Sequence, residues 1–224
     1  MRSQKRTTKQ RRAAKACNTT MSDRDYWERH ARNYDASLSW VLGRPFPRML
    51  ELVSEAVRGK GRVLEVAAGT GIVTTAIAQT CDAVVATDYA SAMVHALERR
   101  VRDAGLDNVT CEQADIYELP YKAGEFDAVV AANVLHLVPD LPGALIGLQK
   151  VIKPGGLLVL PTFCHDETRV SWLVSRLLAL SGFPGKRRFT MQSLRGALEE
   201  NEIQIGHAEL LPGLIPIGFV AGTA

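Results

Sequence analysis

The sequence predicts an α/β fold: a doubly wound, mostly parallel sheet of seven strands with a C-terminal antiparallel hairpin and an N-terminal helical cap. From about residue 62, short apolar runs alternate with helix-like segments, which is typical of parallel strands covered by helices on both faces. A glycine-rich turn follows the first of these runs. The last two apolar runs are joined only by Pro212-Gly213-Leu214, and so short a link permits only an antiparallel pair.

The elements follow in chain order from hydrophobic periodicity. We expect strands at residues 62–67, 83–88, 109–115, 126–133, 157–164, 203–211 and 215–222. Helical spacing covers residues 25–38, 45–58, 72–79, 91–104, 141–151 and 171–180. The helix at 141–151 stops before Lys153-Pro154-Gly155-Gly156, because proline cannot continue a helix.

Composition and charge exclude several classes of protein. The 224 residues are 46% hydrophobic and 23% charged, which fits one globular domain. No apolar run reaches the roughly 18 residues that a membrane-spanning helix needs. The net charge of +3 includes seven cations and no acid in residues 1–20, so the remainder holds 20 cations against 24 acids. Because the body of the chain is mildly acidic, we expect no nucleic-acid partner.

The basic N-terminal segment is treated apart from the fold. Like charges repel and the segment has no apolar face, so residues 1–22 are predicted to be a disordered extension and residues 23–224 the folded domain. Met21 is an alternative start. An organelle transit peptide and an arm for nucleic acid or anionic membranes are the other interpretations.

The four cysteines argue against a metal or a disulfide framework. Cys17, Cys81, Cys111 and Cys164 are scattered, with no C-x-x-C pair, whereas zinc and disulfide frameworks use clustered spacings. We therefore expect no metal and predict free thiols. Free thiols favour a reducing, cytoplasmic location.

The first predicted strand carries an acid and runs into the glycine-rich turn. Glu65 lies within the strand, and Gly69 and Gly71 follow it. Glycine lets the backbone approach a ligand closely, and the next helix begins with free N–H groups. In an open α/β sheet, ligands bind outside the carboxyl ends of the strands, so this turn is a candidate binding site.

The next three strands each end near a polar side chain. Asp88 ends the second strand, where a carboxylate can accept both ribose hydroxyls of an adenosine. Asp115 ends the third, placed to accept from an adenine amino group, and Asn133 ends the fourth. These positions predict one nucleoside-binding edge of the sheet.

Together with Ile152-Lys153-Pro154-Gly155-Gly156, these segments resemble the class I S-adenosylmethionine-dependent methyltransferases, in particular the group with the ubiquinone-biosynthesis and phospholipid enzymes. The resemblance covers roughly residues 25–222. It implies that the loop holds the methionine end of the cofactor, Asp88 its ribose and Asp115 its adenine. It also implies that Tyr34, in Arg32-Asn33-Tyr34-Asp35, lies over the cofactor. To the same site we assign four neighbours of these residues: Ala67, Tyr89, Met93 and Ile116.

One departure and two alternatives bear on this resemblance. Ala67 stands where the family usually has its first glycine, a change that is minor if the residue keeps a negative φ. A nicotinamide dehydrogenase would need a third glycine where Thr74 stands. A scaffold that binds S-adenosylmethionine without transferring its methyl group stays open as an alternative.

The expected reaction is methyl transfer by in-line displacement to a small-molecule or lipid-like acceptor. Alignment supplies much of the rate, so a strong base is optional. His136 is the candidate base, and structural packing is the alternative for it. Cys164 and His165 are expected to line the same pocket. Trp27 and Tyr26 are candidates for a lid or for the core.

The segment Ser171–Leu180 is strongly apolar and is followed by Lys186-Arg187-Arg188. Such a pairing suits peripheral contact with an anionic membrane or an amphiphilic acceptor, as in a phospholipid N-methyltransferase at a membrane surface. The alternative is a helix that covers the sheet, with its apolar side in the core and the three cations in solvent.

Overall fold

The computed structural model describes residues 23–31, 43, 45–180 and 183–224. Eight strands are β1 (Arg62–Val66), β2 (Ala83–Asp88), β3 (Val109–Gln113), β4 (Phe126–Val130), β5 (Ile152–Val159), β6 (Thr162–Phe163), β7 (Gln204–Leu211) and β8 (Ile217–Thr223). The helices of the same ranges are α1 (23–30), α2 (Pro45–Val57), α3 (Ile72–Ile77), α4 (Ser91–Asp103), α5 (Leu141–Val151), α6 (Arg169–Leu180) and α7 (Met191–Glu199). The predicted basic extension, Met21, Cys17 and Tyr34 lie outside the described residues.

The strands form one sheet in the order β3-β2-β1-β4-β5-β8, with β7 on the far side of β8 and β6 also paired to β8. Strands β1 to β5 pair in parallel, and β8 runs antiparallel to β5, β6 and β7. The predicted doubly wound sheet with an antiparallel C-terminal hairpin is therefore confirmed. In this order β1 lies between β2 and β4, so the carboxyl ends of three neighbouring strands meet at one edge.

Two apolar layers cover the sheet. Along β1, Val63 and Leu64 are both inaccessible to solvent and belong to different clusters, as the alternation of side chains in a strand requires. The layer containing Val63 includes residues of α2, α3 and α4. The layer containing Leu64 includes residues of α5 and α7. A sheet buried on both faces explains why the strands read as continuous apolar runs.

The predicted fifth strand, 157–164, is two strands in the structure. Pro161 has no N–H, and it stands between β5 and β6, so the ladder to β8 is interrupted there. The structure also begins β5 earlier, at Ile152, where the Lys153–Gly156 segment forms an irregularity opposite β4. The count of eight strands instead of seven follows from this division.

The predicted strands three and four were too long at their carboxyl ends. β3 ends at Gln113 and β4 at Val130, so Asp115 and Asn133 lie in the turns beyond the strands. Asn133 has a φ of 53°, and this left-handed conformation ends extended structure. Both residues nevertheless stay at the carboxyl edge of the sheet.

Helix α6 was expected at 171–180 and is present. Its inward side carries Ser171 and Ser175, which are buried, and the partly buried Val174 and Leu178, which pack against the core. A second row of apolar residues, Leu173, Leu177 and Leu180, is exposed. The sheet-covering alternative therefore holds for Val174 and Leu178 and is wrong for the exposed row.

None of the helices in the described part of the chain is long and apolar enough to cross a bilayer.

Candidate functional site

A cleft opens at the carboxyl edge of the sheet, beside β1, β2 and β4. The space between its walls amounts to about 880 Å³, part of which is open to solvent. Eight of the predicted site residues line it: Ala67, Gly69, Asp88, Tyr89, Met93, Asp115, Ile116 and Asn133. These eight are fewer than half of the 18 described residues that line the cleft, and their roles in binding stay predictions. The predicted Glu65, Gly71 and His136 are not among the described residues that line it.

The turn after β1 is held to β2 by its backbone. The N–H of Ala68 donates to the carbonyl of Thr87 at 2.8 Å. Gly69 has a φ of 58° and faces the cleft. Gly71 has a different function, since a Cβ there would lie 2.5 Å from Leu97 Cδ1 of α4. Gly71 lets the start of α3 pack against α4, behind the wall of the cleft.

Ala67 has a left-handed backbone, with a φ of 52°. The expectation that alanine is harmless here required a negative φ and was wrong. An L-residue in this region costs about 1–2 kcal/mol because Cβ approaches the following carbonyl. The strained residue lines the cleft, next to Gly69.

The Asp88 carboxylate joins the turn to the next helix. Its Oδ2 accepts from Gly69 N at 2.9 Å, and its Oδ1 accepts from Ala90 N at 2.9 Å. Burial raises the pKa of Asp88 to about 6, although these backbone N–H groups favour the ionised form. A carboxylate has about four lone-pair sites, so Asp88 can still accept hydrogen bonds from a ligand.

The start of α4 is also held by Glu28 of α1, a residue that the sequence analysis did not identify. Glu28 Oε1 accepts from Ser91 N at 2.7 Å, and Oε2 accepts from Ala92 N at 2.9 Å. These are N–H groups of a first helical turn, which have no intrahelical partner. The contact fixes α1 beside the cleft, where Asp23 and Trp27 contribute to the wall. No local pattern relates Glu28 to a helix so distant in sequence.

The turn after β3 forms the opposite wall. Asp115 Oδ1 accepts from Tyr117 N at 3.1 Å, which fixes the carboxylate at the cleft. Helix α5 supports this turn closely, because a Cβ on Gly147 would lie 2.8 Å from the carbonyl oxygen of Ile116. The turn therefore has a defined position despite lying outside the strand.

Asn133 carries a buried hydrogen-bond acceptor that has no donor among the described residues. Its Nδ2 lies 3.5 Å from Met49 Sδ, and its Oδ1 is buried with no hydrogen-bond partner among the described residues. A buried acceptor without a donor costs about 1–3 kcal/mol. Because Asn133 lines the cleft, a ligand with an N–H group, such as an α-amino group, would satisfy it. This orphaned oxygen fits S-adenosylmethionine.

Glu65 of β1 is buried and is not among the described residues that line the cleft. Its Oε2 accepts from Thr74 Oγ1 at 2.6 Å, and only 1% of the residue is exposed. Burial raises the pKa of Glu65 to about 8, so the carboxyl is mostly protonated at neutral pH. In this structure Glu65 supports the turn and α3.

His136 lies in an aromatic cluster next to the cleft. Its ring is 5.1 Å from that of His165, 5.6 Å from that of Phe163 and stacked 6.1 Å from that of Phe183. It is 1% exposed, and burial, followed by the nearby His165, keeps its pKa well below 6.5. His136 Nδ1 and both ring nitrogens of His165 have no hydrogen-bond partner within the described residues.

The prediction that Cys164 and His165 line the pocket and the prediction that Trp27 and Tyr26 form a lid or core have different outcomes. Cys164 and His165 are buried and are not among the described residues that line the cleft. Trp27 does line it, and Tyr26 packs edge-on against Trp27 with the ring centroids 5.0 Å apart. Both aromatic rings also lie near Phe183.

The rim is closed by the segment after α6. Pro184 lines the cleft, and Lys186 Nζ pairs with Asp23 at 3.0 Å. The Arg187 guanidinium donates to the carbonyl oxygens of Val138 and Pro139. The alternative that placed the three cations in solvent is consistent with Lys186, which is exposed, and is wrong for Arg187, which is half-buried and bonded to these carbonyls. The sequence analysis missed these rim residues because their partners are far away along the chain.

Metal chemistry has no support in the described ranges. They contain no group of three or more His, Cys, Asp or Glu side chains placed to hold a metal ion. Cys81, Cys111 and Cys164 are free.

Comparison with known proteins gives a match to one family model and similarity to curated methyltransferases named for quinone substrates. Residues 64–160 match a family model described as a methyltransferase domain. The chain is 38% identical over 102 residues to a demethylmenaquinone methyltransferase of Clavibacter sepedonicus, which covers 46% of this chain and 41% of that protein. It is 33% identical over 146 residues to a ubiquinone/menaquinone biosynthesis C-methyltransferase of Idiomarina loihiensis, which covers 62% of this chain and 58% of that protein.

The solved structures agree with the fold. A SAM dependent methyltransferase from Aquifex aeolicus superposes with a TM-score of 0.69 at 19% identity, over 88% of this chain and 98% of that one. At this identity the likeness concerns the fold. The chain spans about 40–60% of the two quinone-related relatives and 3% of a Macrophomina phaseolina hybrid synthetase to which it is 28% identical.

Replacing Ala67 by glycine should stabilise the protein. Glycine removes the left-handed strain and costs some entropy in the unfolded chain, so we expect a net gain of about 0.5–1 kcal/mol and a melting temperature higher by about 1–4 °C. Thermal unfolding followed by circular dichroism measures it.

Ala104→Gly is the matched control, because Ala104 is exposed with a φ of −83° and glycine there should destabilise. If Ala67→Gly lowers the melting temperature as Ala104→Gly does, the inference that the backbone of Ala67 is strained is wrong.

Proposed function

We propose that this chain is a class I methyltransferase, which binds S-adenosylmethionine in the cleft and transfers its methyl group to a small apolar acceptor. The observation that carries the proposal is the set of acceptor oxygens around one cleft. Asp88 ends β2, Asp115 follows β3 and Asn133 follows β4, and all three line the same cavity. An adenosine with an attached amino acid has hydrogen-bond donors for each of them.

The residues divide the cofactor between them in the proposal. Asp88 would accept the ribose hydroxyls, as an acid at the end of the second strand does in dinucleotide folds. Asp115 would accept from the adenine amino group, with Ile116 against the base. Asn133 Oδ1 would accept from the α-amino group, and Gly69 lets the backbone approach the methionine end.

The protein's contribution to the reaction is orientation. S-adenosylmethionine supplies an already activated methyl group when bound. The walls of the cleft restrict the positions of cofactor and acceptor, and such positioning can supply about 7–11 kcal/mol of a barrier. Burial of the reacting atoms also excludes water.

The acceptor is proposed to be apolar. Beyond the polar residues, the cleft is lined by Trp27, Leu137, Val138, Pro139 and Pro184, which favour an apolar ring or chain over a charged metabolite. The two relatives described above are named for quinone substrates, which supports an acceptor of that kind. A phospholipid headgroup at a membrane surface is the second candidate, and exposed apolar residues on α6 favour it.

The base role of His136 stays a proposal, and the geometry favours packing. The ring is buried among Phe163, His165 and Phe183, outside the described wall of the cleft. Its low pKa keeps the imidazole neutral at neutral pH, as a base requires. The missing feature is access to an acceptor.

We also propose a reducing compartment such as the cytoplasm, supported by the free thiols of Cys81, Cys111 and Cys164.

Removal of the Asp88 carboxylate should weaken cofactor binding. The wild-type chain is expected to bind S-adenosylmethionine and S-adenosylhomocysteine in the low-micromolar range by calorimetry, and Asp88→Asn to bind about tenfold or more weakly, as loss of a charge-assisted hydrogen bond implies. Because the pKa of Asp88 is raised to about 6, wild-type affinity should fall as the pH drops through 6, and the variant should lack this dependence.

Asp82→Asn is the matched control. Asp82 is an exposed carboxylate just before the amino end of β2, at the opposite edge of the sheet. Equal affinity of the wild type and Asp88→Asn would refute the ribose assignment, and no binding of either ligand by the wild type would refute the proposed function.

His136→Ala separates packing from catalysis. A packing role predicts a stability loss of about 1–3 kcal/mol in urea unfolding, with cofactor affinity and transfer per folded molecule retained. Loss of transfer at unchanged stability and cofactor affinity would establish the base role and contradict our interpretation.

A further inference from the structure

Helix α6 exposes a row of apolar residues to solvent, in addition to Val174 and Leu178, which are partly buried and pack against the core. Ser171 and Ser175 are buried, whereas Val170 is 57% exposed, Leu173 54%, Leu177 59% and Leu180 84%. These four residues recur at helical spacing, so they form one stripe along the helix. We call these four residues the α6 stripe.

The α6 stripe is a concentration of exposed apolar surface, not one of many scattered residues. Eight large hydrophobic residues are exposed in the described part of the chain, and five of them are on α6, the fifth being Trp172 at 44%. Single exposed hydrophobics need no explanation, but a contiguous set marks an interaction surface.

The charged residues of α6 itself are cations. Residues 168–198 contain six cations and no acid, with Asp166 and Glu167 just before them, and two of the six are paired, Lys186 with Asp23 and Arg195 with Glu199. On the helix itself, Arg169 and Arg176 are exposed. The Arg176 guanidinium lies 4.9 Å from the centroid of the Trp172 ring, so a cation and an aromatic ring lie together beside the stripe.

We propose that α6 is the surface by which this protein docks on a bilayer that contains anionic lipids. The α6 stripe would enter the boundary between headgroups and acyl chains. Arg169 and Arg176 would meet the anionic headgroups, with Trp172 at the same level. Leucine and tryptophan on one side and cations beside them are how interfacial helices bind, and anionic lipid strengthens the binding.

The charge distribution distinguishes a bilayer from a second copy of the chain. A twofold dimer pairs the same surface with itself, and here it would bring the exposed Arg169 and Arg176 close to the same two cations of the second copy, which is unfavourable. An anionic bilayer offers an apolar layer and negative charge together. Docking through α6 does not depend on which reaction the protein catalyses.

One consequence rests on the proposed function. Pro184, shortly after the end of α6, lines the cleft, and Phe183 contacts Trp27 of the same wall. Docking through α6 would therefore hold the rim of the cleft close to the lipid, where an apolar acceptor is dissolved.

Vesicle flotation of the full chain tests the docking surface. Vesicles of phosphatidylcholine alone are compared with vesicles containing about 30% phosphatidylglycerol, and we expect about tenfold or greater preference for the anionic vesicles, decreasing with salt. The double variant Leu173→Gln/Leu177→Gln should bind about tenfold or more weakly. Every variant keeps residues 1–20, so the basic N-terminal segment is constant.

The matched control is Ile146→Gln/Leu210→Gln, which removes two exposed apolar residues elsewhere, 62% and 38% exposed. It should float like the wild type. For the charge, Arg169→Gln should weaken binding and Arg58→Gln, an exposed cation before β1, should not. Tryptophan emission should shift to the blue on addition of anionic vesicles, and Trp172→Phe should abolish the shift.

Three results would overturn the proposal: no flotation with either vesicle, equal loss in the control double variant, or a dimer in sedimentation velocity that Leu173→Gln/Leu177→Gln disrupts while no vesicle binds. Calorimetry with S-adenosylmethionine on the same variants separates the two proposals. Vesicle binding without cofactor binding would refute the proposed function alone, and the reverse would refute the docking surface alone.

Discussion

The Asp88 carboxylate is the contact on which the geometry of the cleft depends. It lies at the end of β2, and it accepts from Gly69 in the turn after β1 and from Ala90 at the start of α4. One side chain therefore fixes the distance between the glycine turn and the next helix. Glu28 binds the first N–H groups of that helix, so α1 takes its place over the cleft through the same junction. The cost of burying Asp88 appears as its raised pKa.

The parts of this arrangement that could be predicted from the sequence are the local ones. Periodicity located the strands, and β2 and α5 have the predicted bounds, because a doubly covered sheet requires continuous apolar runs and proline ends a helix. The acids and glycines could be placed because the carboxyl ends of parallel strands must meet at one edge. The ends of β3 and β4 were less predictable, since the alanines that follow them, Ala114, Ala131 and Ala132, are compatible with a strand or a turn.

The parts that could not be predicted depend on contacts between distant residues. Glu28 and Arg187 have partners far along the chain, which no spacing reveals. The φ of Ala67 is imposed by the turn and contradicts the preference of alanine. The orientation of α6 is the clearest case, because apolar residues occur all around this helix. The structure packs Val174 and Leu178 against the core and leaves Leu173 and Leu177 exposed, and the spacing alone does not decide between these rows.

The central claim is that the protein transfers a methyl group from the cofactor bound in the cleft and does not merely bind a nucleoside there. The most direct measurement uses S-adenosylmethionine with a labelled methyl group, the full chain and a fractionated cell extract. We expect the label to appear in the apolar fraction that organic solvent extracts, and we expect much less label when Asp88→Asn replaces the wild type. If the chain binds the cofactor and no fraction becomes labelled, the cleft is a binding scaffold and the claim of methyl transfer is wrong.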